Sequence, residues 1–342
     1  MNVGIELMER GWLPDTLVRF GIRRLLAKRI DEINGKDSSE AESEFVQSLR
    51  EGPVAQHTGK ANEQHYEVPS DFFLRVLGPR LKYSSCIWPV GTRTLGEAEE
   101  HMLRLTCERA ELSDGMDILE LGCGWGSLTL WMAEQYPNAR ITAVSNSHSQ
   151  REFIEKRAAD RNLINVRVIT ADMNDFAIHE SFDRVVSVEM FEHMRNYHVL
   201  LERIAGWLKL DGKLFIHIFC HREHTYPFET DGDDDWMGRY FFTGGLMPAE
   251  HLLNTFDDHL KVESQWRVNG IEYAKTLRAW LDISDQERPD LIRLLKSVYG
   301  ETEGARWLQR WRVFFMACEE LFAYRKGSEW FVTHILFSKQ SK

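Results

Sequence analysis

At 342 residues, 43% hydrophobic and 28% charged, the chain is long and apolar enough for a large core with an added cap, which excludes a disordered or staple-dependent fold. A net charge of -11 excludes a protein that tracks nucleic-acid phosphates, since that needs clustered cations, and leaves a neutral or cationic small molecule as the better partner. The five cysteines are odd in number, scattered and never in a Cys-x-x-Cys pair, so neither a disulfide framework nor a zinc site is indicated and a reducing, cytoplasmic setting is expected.

From the N-terminus, Leu7, Leu13, Leu17, Val18, Phe20, Ile22, Leu25, Leu26 and Ile30 predict short amphipathic helices broken at Gly11 and Gly21. Such helices either pack on their own protein, the preferred reading, or lie on a membrane surface. No apolar run approaches the ~20 residues needed to span a bilayer, and no signal-peptide pattern opens the chain, so stable membrane insertion is not expected. Residues 31–62, rich in charge, Ser and Gly, read as a weakly ordered connector.

After a helix-spaced segment from Thr94 and a turn at Ser113-Asp114-Gly115, strand-like runs at 116–121, 140–144, 166–170, 182–188 and 213–220 alternate with helical patterns at 127–136, 150–162 and 197–210. This alternation predicts an α/β fold, a Rossmann-like parallel sheet covered on both faces, with its ligand crevice at the C-terminal strand ends. Beyond 222 the regular pattern is lost, and an aromatic-rich stretch leads to a final strand-like 330–337. The expected division is therefore 1–62, N-terminal helices and connector; 63–222, nucleotide-binding core with an N-terminal lid; 223–342, substrate cap and closing strands.

Directly after the first core strand stands Glu120-Leu121-Gly122-Cys123-Gly124-Trp125-Gly126-Ser127. Glycine there permits positive φ and close approach of a ligand to the backbone, but glycine loops also serve dinucleotides. The spacing Gly-x-Gly-x-Gly and the carboxylate of Glu120 discriminate: an acid repels a pyrophosphate and suits the ammonium and sulfonium charges of S-adenosylmethionine. Asn146 after the second strand and Gln150 just inside the next helix can bond ribose hydroxyls. Asp172 and Met173 after the third offer a carboxylate and a soft apolar face to adenine, although Asp172 reads equally as a solvated surface residue.

Several motifs together resemble the cyclopropane-fatty-acid synthase superfamily of methyltransferases: Ile118 to Gly126, Gln64-His-Tyr-Glu-Val-Pro-Ser70, Tyr83-Ser-Ser-Cys86 and Val188-Glu-Met-Phe-Glu-His-Met194. Within it, Ser145 to Ile154, Asp233-Asp-Asp-Trp236, Tyr240 to Gly245 and Tyr273 to Trp280 are most similar to coclaurine N-methyltransferase-like proteins. The resemblance covers nearly everything after residue 50. It implies a seven-stranded class I methyltransferase fold with an antiparallel last strand, and methyl transfer from S-adenosylmethionine to a small amine. Tyr83, Ser84 and Val188 join the cofactor residues on this view. The lipid-modifying members hold bicarbonate with a cysteine after the Tyr-Ser pair and a late tyrosine. Ser85 and Phe314 stand at the matching positions here, which counts against cyclopropanation.

Glu189-Met-Phe-Glu192-His193 follows the fourth strand, where a transferred methyl would sit. A protonated amine has no lone pair, so an imidazole beside a carboxylate is the expected base: His193 with Glu192, and Glu189 as an anchor for a substrate or cofactor cation. The alternative is that Glu192 and His193 merely cap the next helix. Cys318 enters as a further catalytic candidate through the family pattern, though Glu319 and Glu320 disfavour a thiolate. Trp236, Tyr240, Phe241, Phe314 and Trp330 are candidate walls for an aryl or cationic amine, with Glu97 and Tyr83 facing the same pocket. His217, His221 and His224 do not make a metal site, because strand residues four apart lie ~13 Å from each other. The competing readings are a lipid-modifying carbon methyltransferase and a noncatalytic cofactor-binding protein. The acceptor, the number of methyl groups and the oligomeric state, a homodimer included, stay open at this level.

Overall fold

The computed structural model describes residues 3–35, 38–56, 69–230, 232 and 235–340. A seven-stranded sheet runs in the order β3-β2-β1-β4-β5-β9-β8. Its parallel half comprises β1 (Asp117–Leu121), β2 (Arg140–Ser145), β3 (Val166–Thr170), β4 (Phe182–Val188) and β5 (Leu208–His221). The last strand, β9 (Trp330–Lys339), inserts antiparallel between β5 and β8 (Leu260–Val268). A two-stranded ribbon, β6 (Tyr226–Pro227) with β7 (Leu246–Met247), lies outside the sheet. The central strands are apolar on both sides because helices cover both faces. Ile118, Val186, Phe215 and Leu336 meet α5 (Leu95–Arg109) and α6 (Ser127–Gln135). Leu119, Leu121, Val185, Leu214 and Ile216 meet α8 (Tyr197–Trp207).

The remaining helices form a wall beyond the C-terminal strand ends: α1 (Val3–Glu9), α2 (Asp15–Ile33), α4 (Ser70–Val76), α10 (Gly270–Gln286), α11 (Arg288–Tyr299) and α12 (Gly304–Ala323). Their shared core includes Val18, Leu26, Phe72, Phe73, Trp280, Trp311 and Phe315. The short α3 (Ser38–Ser48), α7 (His148–Asp160) and α9 (Trp236–Tyr240) complete the set described.

Three expectations change here. Gly21 does not break the N-terminal helix; α2 runs through it, because a 19-residue helix packed through Val18, Leu26 and Ile30 outweighs the modest helix penalty of one glycine. The expected connector is helical over α3, which docks when the Glu42 carboxylate meets His224 Nδ1 at 2.8 Å. Past residue 222 the chain is strongly regular rather than irregular. Its helix α12 buries charged residues among its apolar ones, with Arg310 and Arg312 paired to Glu9 and Asp15 near the N-terminus, so polarity is a poor guide to its inward face, and β8 is an edge strand whose exposed Lys261, Glu263 and Arg267 hide its apolar face. Residues 64–68 of the Gln64 motif and 233–234 of the acidic cluster lie outside the described residues.

Candidate active site

The glycine loop is built by backbone geometry. Gly122, Gly124 and Gly126 have φ of 79°, 51° and 78°, in the left-handed region that side chains rarely adopt. A Cβ at Gly122 would meet Met190 at 2.8 Å and one at Gly126 would meet Ile154 at 2.6 Å, so these two serve close packing. A Cβ at Gly124 would meet nothing within 4 Å, since that face opens on a cavity of about 1560 Å³. The volume exceeds the ~300–1,000 Å³ of an ordinary small-molecule site, and accommodates a cofactor together with an acceptor.

On the sheet side the cavity is lined by Glu120, Gly122, Gly124, Gln150, Val188, Glu189, Glu192 and His193, and by Tyr83 and Ser84 from the segment before α5. Its opposite wall is helical: Leu17, Gly21 and Leu25 of α2, Tyr273 and Trp280 of α10, Phe314 and Cys318 of α12. Trp236 and Trp330 also line it; their indole nitrogens donate to Glu9 Oε1 at 2.8 Å and to the Tyr226 hydroxyl at 2.9 Å.

Glu120 is buried at the end of β1, where Thr129 Oγ1 donates to Oε2 at 2.5 Å. Burial pushes its pKa up to about 8, against that hydrogen bond. Gln150 is also buried; its Oε1 accepts from Ser145 Oγ at 2.7 Å, while its Nε2 and the neighbouring Ser127 Oγ find no partner among the described residues. An acid short of a counter-charge, two unsatisfied polar atoms and a bare backbone at Gly124 fit a cationic nucleoside cofactor.

Glu189 and Glu192 begin the segment after β4. Glu189 adopts a left-handed φ of 47°, a strained choice for a side-chain-bearing residue and one that clusters at functional sites. The turn sets its carboxylate among three partners: the Tyr273 hydroxyl donates to Oε2 at 2.6 Å, Ser85 N–H donates to Oε1 at 2.9 Å, and His217 Nε2 lies 3.2 Å from Oε1. Glu192, on a 3₁₀ turn at Phe191–His193, is buried with an Oε2 that has no partner among the described residues. Burial raises both pKa values, and the Glu189 charge raises Glu192 further. His193 follows on the same turn, half-buried at the cavity edge.

Other expected residues stand elsewhere. Glu97 does not face the cavity: it is exposed and closes the capping box at the start of α5, accepting from Thr94 N–H at 3.1 Å while Thr94 Oγ1 takes Glu97 N–H. Gly126, Asn146, Asp172, Met173, Tyr240 and Phe241 are not among the lining residues. Asp172 Oδ1 accepts from Asn174 N–H at 2.8 Å in a local turn, and Met173 is buried in the core under α8. Phe241 stacks on Phe314 at 4.3 Å from behind, and Tyr240 lies under the Arg310 guanidinium at 4.4 Å. Cys318 is on the lining, but burial and the Glu189 charge push its thiol up, so it is held protonated. Residues that sequence reasoning passed over include the α2 face and Lys82, a buried lysine donating to Ser84 Oγ at 2.5 Å and Ser85 O at 2.7 Å. Tyr273 belonged to a quoted motif; only the fold brings it to Glu189.

A sheet of this order, entered by an acid-led glycine loop, defines an S-adenosylmethionine-dependent methyltransferase of the class I fold. The model of the mycolic acid cyclopropane synthetase family matches residues 55–330, and the chain belongs to that family. Among its relatives, it is 37% identical to (S)-coclaurine N-methyltransferase from Thalictrum flavum subsp. glaucum, over 98% of this chain and 95% of that protein. It is 33% identical to pavine N-methyltransferase from the same plant, over 86% and 84% of the two chains. A crystal structure of coclaurine N-methyltransferase bound to N-methylheliamine and SAH superposes with a TM-score of 0.93 at 36% identity, covering 97% of both chains.

Proposed function

We propose that the protein N-methylates a small aromatic, alkaloid-like amine, with Glu192 and His193 as the base pair. The observation that carries this reading is the buried Glu192 Oε2, without a partner among the described residues, in a cavity walled by Trp236, Tyr273, Phe314 and Trp330. A buried acid attracts an ammonium strongly, and aromatic faces add cation–π attraction. Burial raises the pKa of that carboxyl, so once an approaching ammonium favours its ionised form it is a stronger proton acceptor than an exposed carboxylate, and the neighbouring imidazole shares that task. S-adenosylmethionine supplies the methyl group on a sulfonium that departs as a neutral thioether. The chain's own work is to bind, to deprotonate and to align. Glu120, Gly124 and Gln150 hold the cofactor end, and Glu189, saturated by protein donors, organises the centre rather than anchoring the cation directly.

The lipid-directed chemistry of other family members has less support, because Ser85 spends its N–H on Glu189 and Phe314 brings no polar group. A cytosolic setting is supported by five cysteines that are all free and buried. Among the described residues no helix is long and apolar enough to cross a membrane. The test is incubation with deuteromethyl cofactor, a panel of benzylisoquinoline-type amines and, separately, unsaturated phospholipid vesicles. Label appearing in an amine supports the reading. Label confined to lipid, or to neither, overturns it.

A further inference from the structure

One row of side chains crosses the sheet on the α5 face. Val188 of β4, His217 of β5, His334 of β9 and Trp266 of β8 are direct register partners, so their side chains leave the same face side by side. Both imidazoles are fully buried. Arg109, at the end of α5, closes the row: its guanidinium lies 5.1 Å over the Trp266 ring and its Nη1 is 2.8 Å from His334 Nδ1. His334 Nε2 is 2.9 Å from His217 Nδ1, and His217 Nε2 is 3.2 Å from Glu189 Oε1.

A guanidinium has donors and no acceptor. His334 Nδ1 therefore accepts, which places the His334 proton on Nε2; His217 Nδ1 then accepts in turn, which places its proton on Nε2, pointing at Glu189. The polarity of the whole chain follows from its one permanent donor. Without Arg109 the two neutral rings could run the opposite way, with a protonated Glu189 donating to His217. Burial holds both rings neutral, so the chain transmits direction rather than charge.

We propose that Arg109 is a positioning residue for methyl transfer: acting through His334 and His217, it sets the direction of the hydrogen bond to Glu189 and so keeps that side chain an acceptor, oriented in the cavity. The activity part of this proposal rests on the amine methyltransferase reading; the ring tautomers do not.

The experiment is long-range ¹H–¹⁵N NMR on the full chain labelled at histidine, together with kcat at saturating substrates. Wild type is expected to carry Nε2–H on both His217 and His334. Arg109→Lys, which keeps a donor, retains that pattern. Arg109→Met admits Nδ1–H at His334 and lowers kcat about tenfold, the scale of one lost hydrogen bond. A purely structural role for Arg109 would move the melting temperature and leave the tautomers alone. A proton on Nδ1 of either ring in wild type overturns the proposal, and so does a folded Arg109→Met enzyme with unaltered kcat. The wild-type spectrum needs no variant to fold. Failure of wild type to methylate any amine would sink the functional reading instead, leaving the rings to decide this one.

Discussion

The glycine-loop corner of the cavity is made by neighbours in sequence: Glu120, the glycines after it and its partner Thr129 come from one strand-loop-helix unit. The helical side joins the two ends of the chain. Glu9 meets Arg306 at a separation of 297 residues and also Arg310, Asp15 meets Arg312, and Arg19 meets Glu319 and Glu320. The glycine-loop end thus depends on local backbone geometry and one buried acid, whereas the helical end depends on ion pairs that exist only after the ends of the chain have met. Damage to one end should leave the other readable.

The largest effect is expected where the two sides face each other. His193→Ala should lower kcat by about 10²–10⁴, the usual worth of a general base, with affinity for S-adenosylhomocysteine unchanged by calorimetry. If turnover persists, the base lies elsewhere and the division of labour is drawn wrongly.

Next comes the helical side. Glu9 is buried under Arg306, Arg310 and the Trp236 indole; burial opposes ionisation, but these partners outweigh it and its pKa is lowered. The sign follows: its stabilisation is complete above the unfolded value near 4.5 and is lost as pH falls through the lower folded value. Glu9→Ala should cost about 2–3 kcal/mol at neutral pH by denaturant titration, since it strands buried cations, and should raise the acceptor KM more than it weakens the cofactor.

Glu120 tests the sheet side with the opposite sign. Its raised pKa means that the folded chain binds an extra proton between pH 4.5 and about 8, so this residue makes the ligand-free protein less stable as pH rises through that window. A bound cation favours the ionised form, so cofactor affinity should grow toward pH 8. Glu120→Gln should weaken binding about tenfold, flatten that pH dependence and raise the ligand-free melting temperature at pH 8 by about 2–4 °C. A variant that binds as wild type does would show that the acid is mere packing. The smallest change sharpens the wall itself: a Cβ at Gly21 meets nothing within 4 Å, so Gly21→Ala should stabilise α2 by about 0.5–1 kcal/mol, read in the same titrations.

Legibility followed the same line. The five parallel strands, the glycine loop and the Glu192-His193 turn could be read because a buried parallel strand is a continuous apolar run and a left-handed turn demands glycine. β5 was read too short, since Leu208–Asp211 carries polar residues where the strand leaves the sheet's centre. Glu97 misled because an acid near a helix start serves a cap as readily as a pocket, and only the Thr94 bond tells which. The helices of residues 270–323 carry a helical period, with Tyr273, Leu277, Trp280 and Leu281 and then Leu291 and Leu295 buried at that spacing, so they were open to reading and were passed over among the aromatic residues.

By itself, then, the amino-acid sequence determined the parallel strands and the acid-led glycine loop, since Glu120 to Gly126 act within one local unit whose geometry is set by glycine and strand pattern; it did not reveal that Asn146, Asp172 and Met173 stand off the cavity lining. Tertiary structure alone decided which ring, acid or lysine faces the cavity. It seats α2 against α12, carries Tyr273 to Glu189 and aligns His217 with His334 across two strands. Such pairings are made by residues tens to hundreds of positions apart, and side-chain direction at long range is fixed only when the core closes.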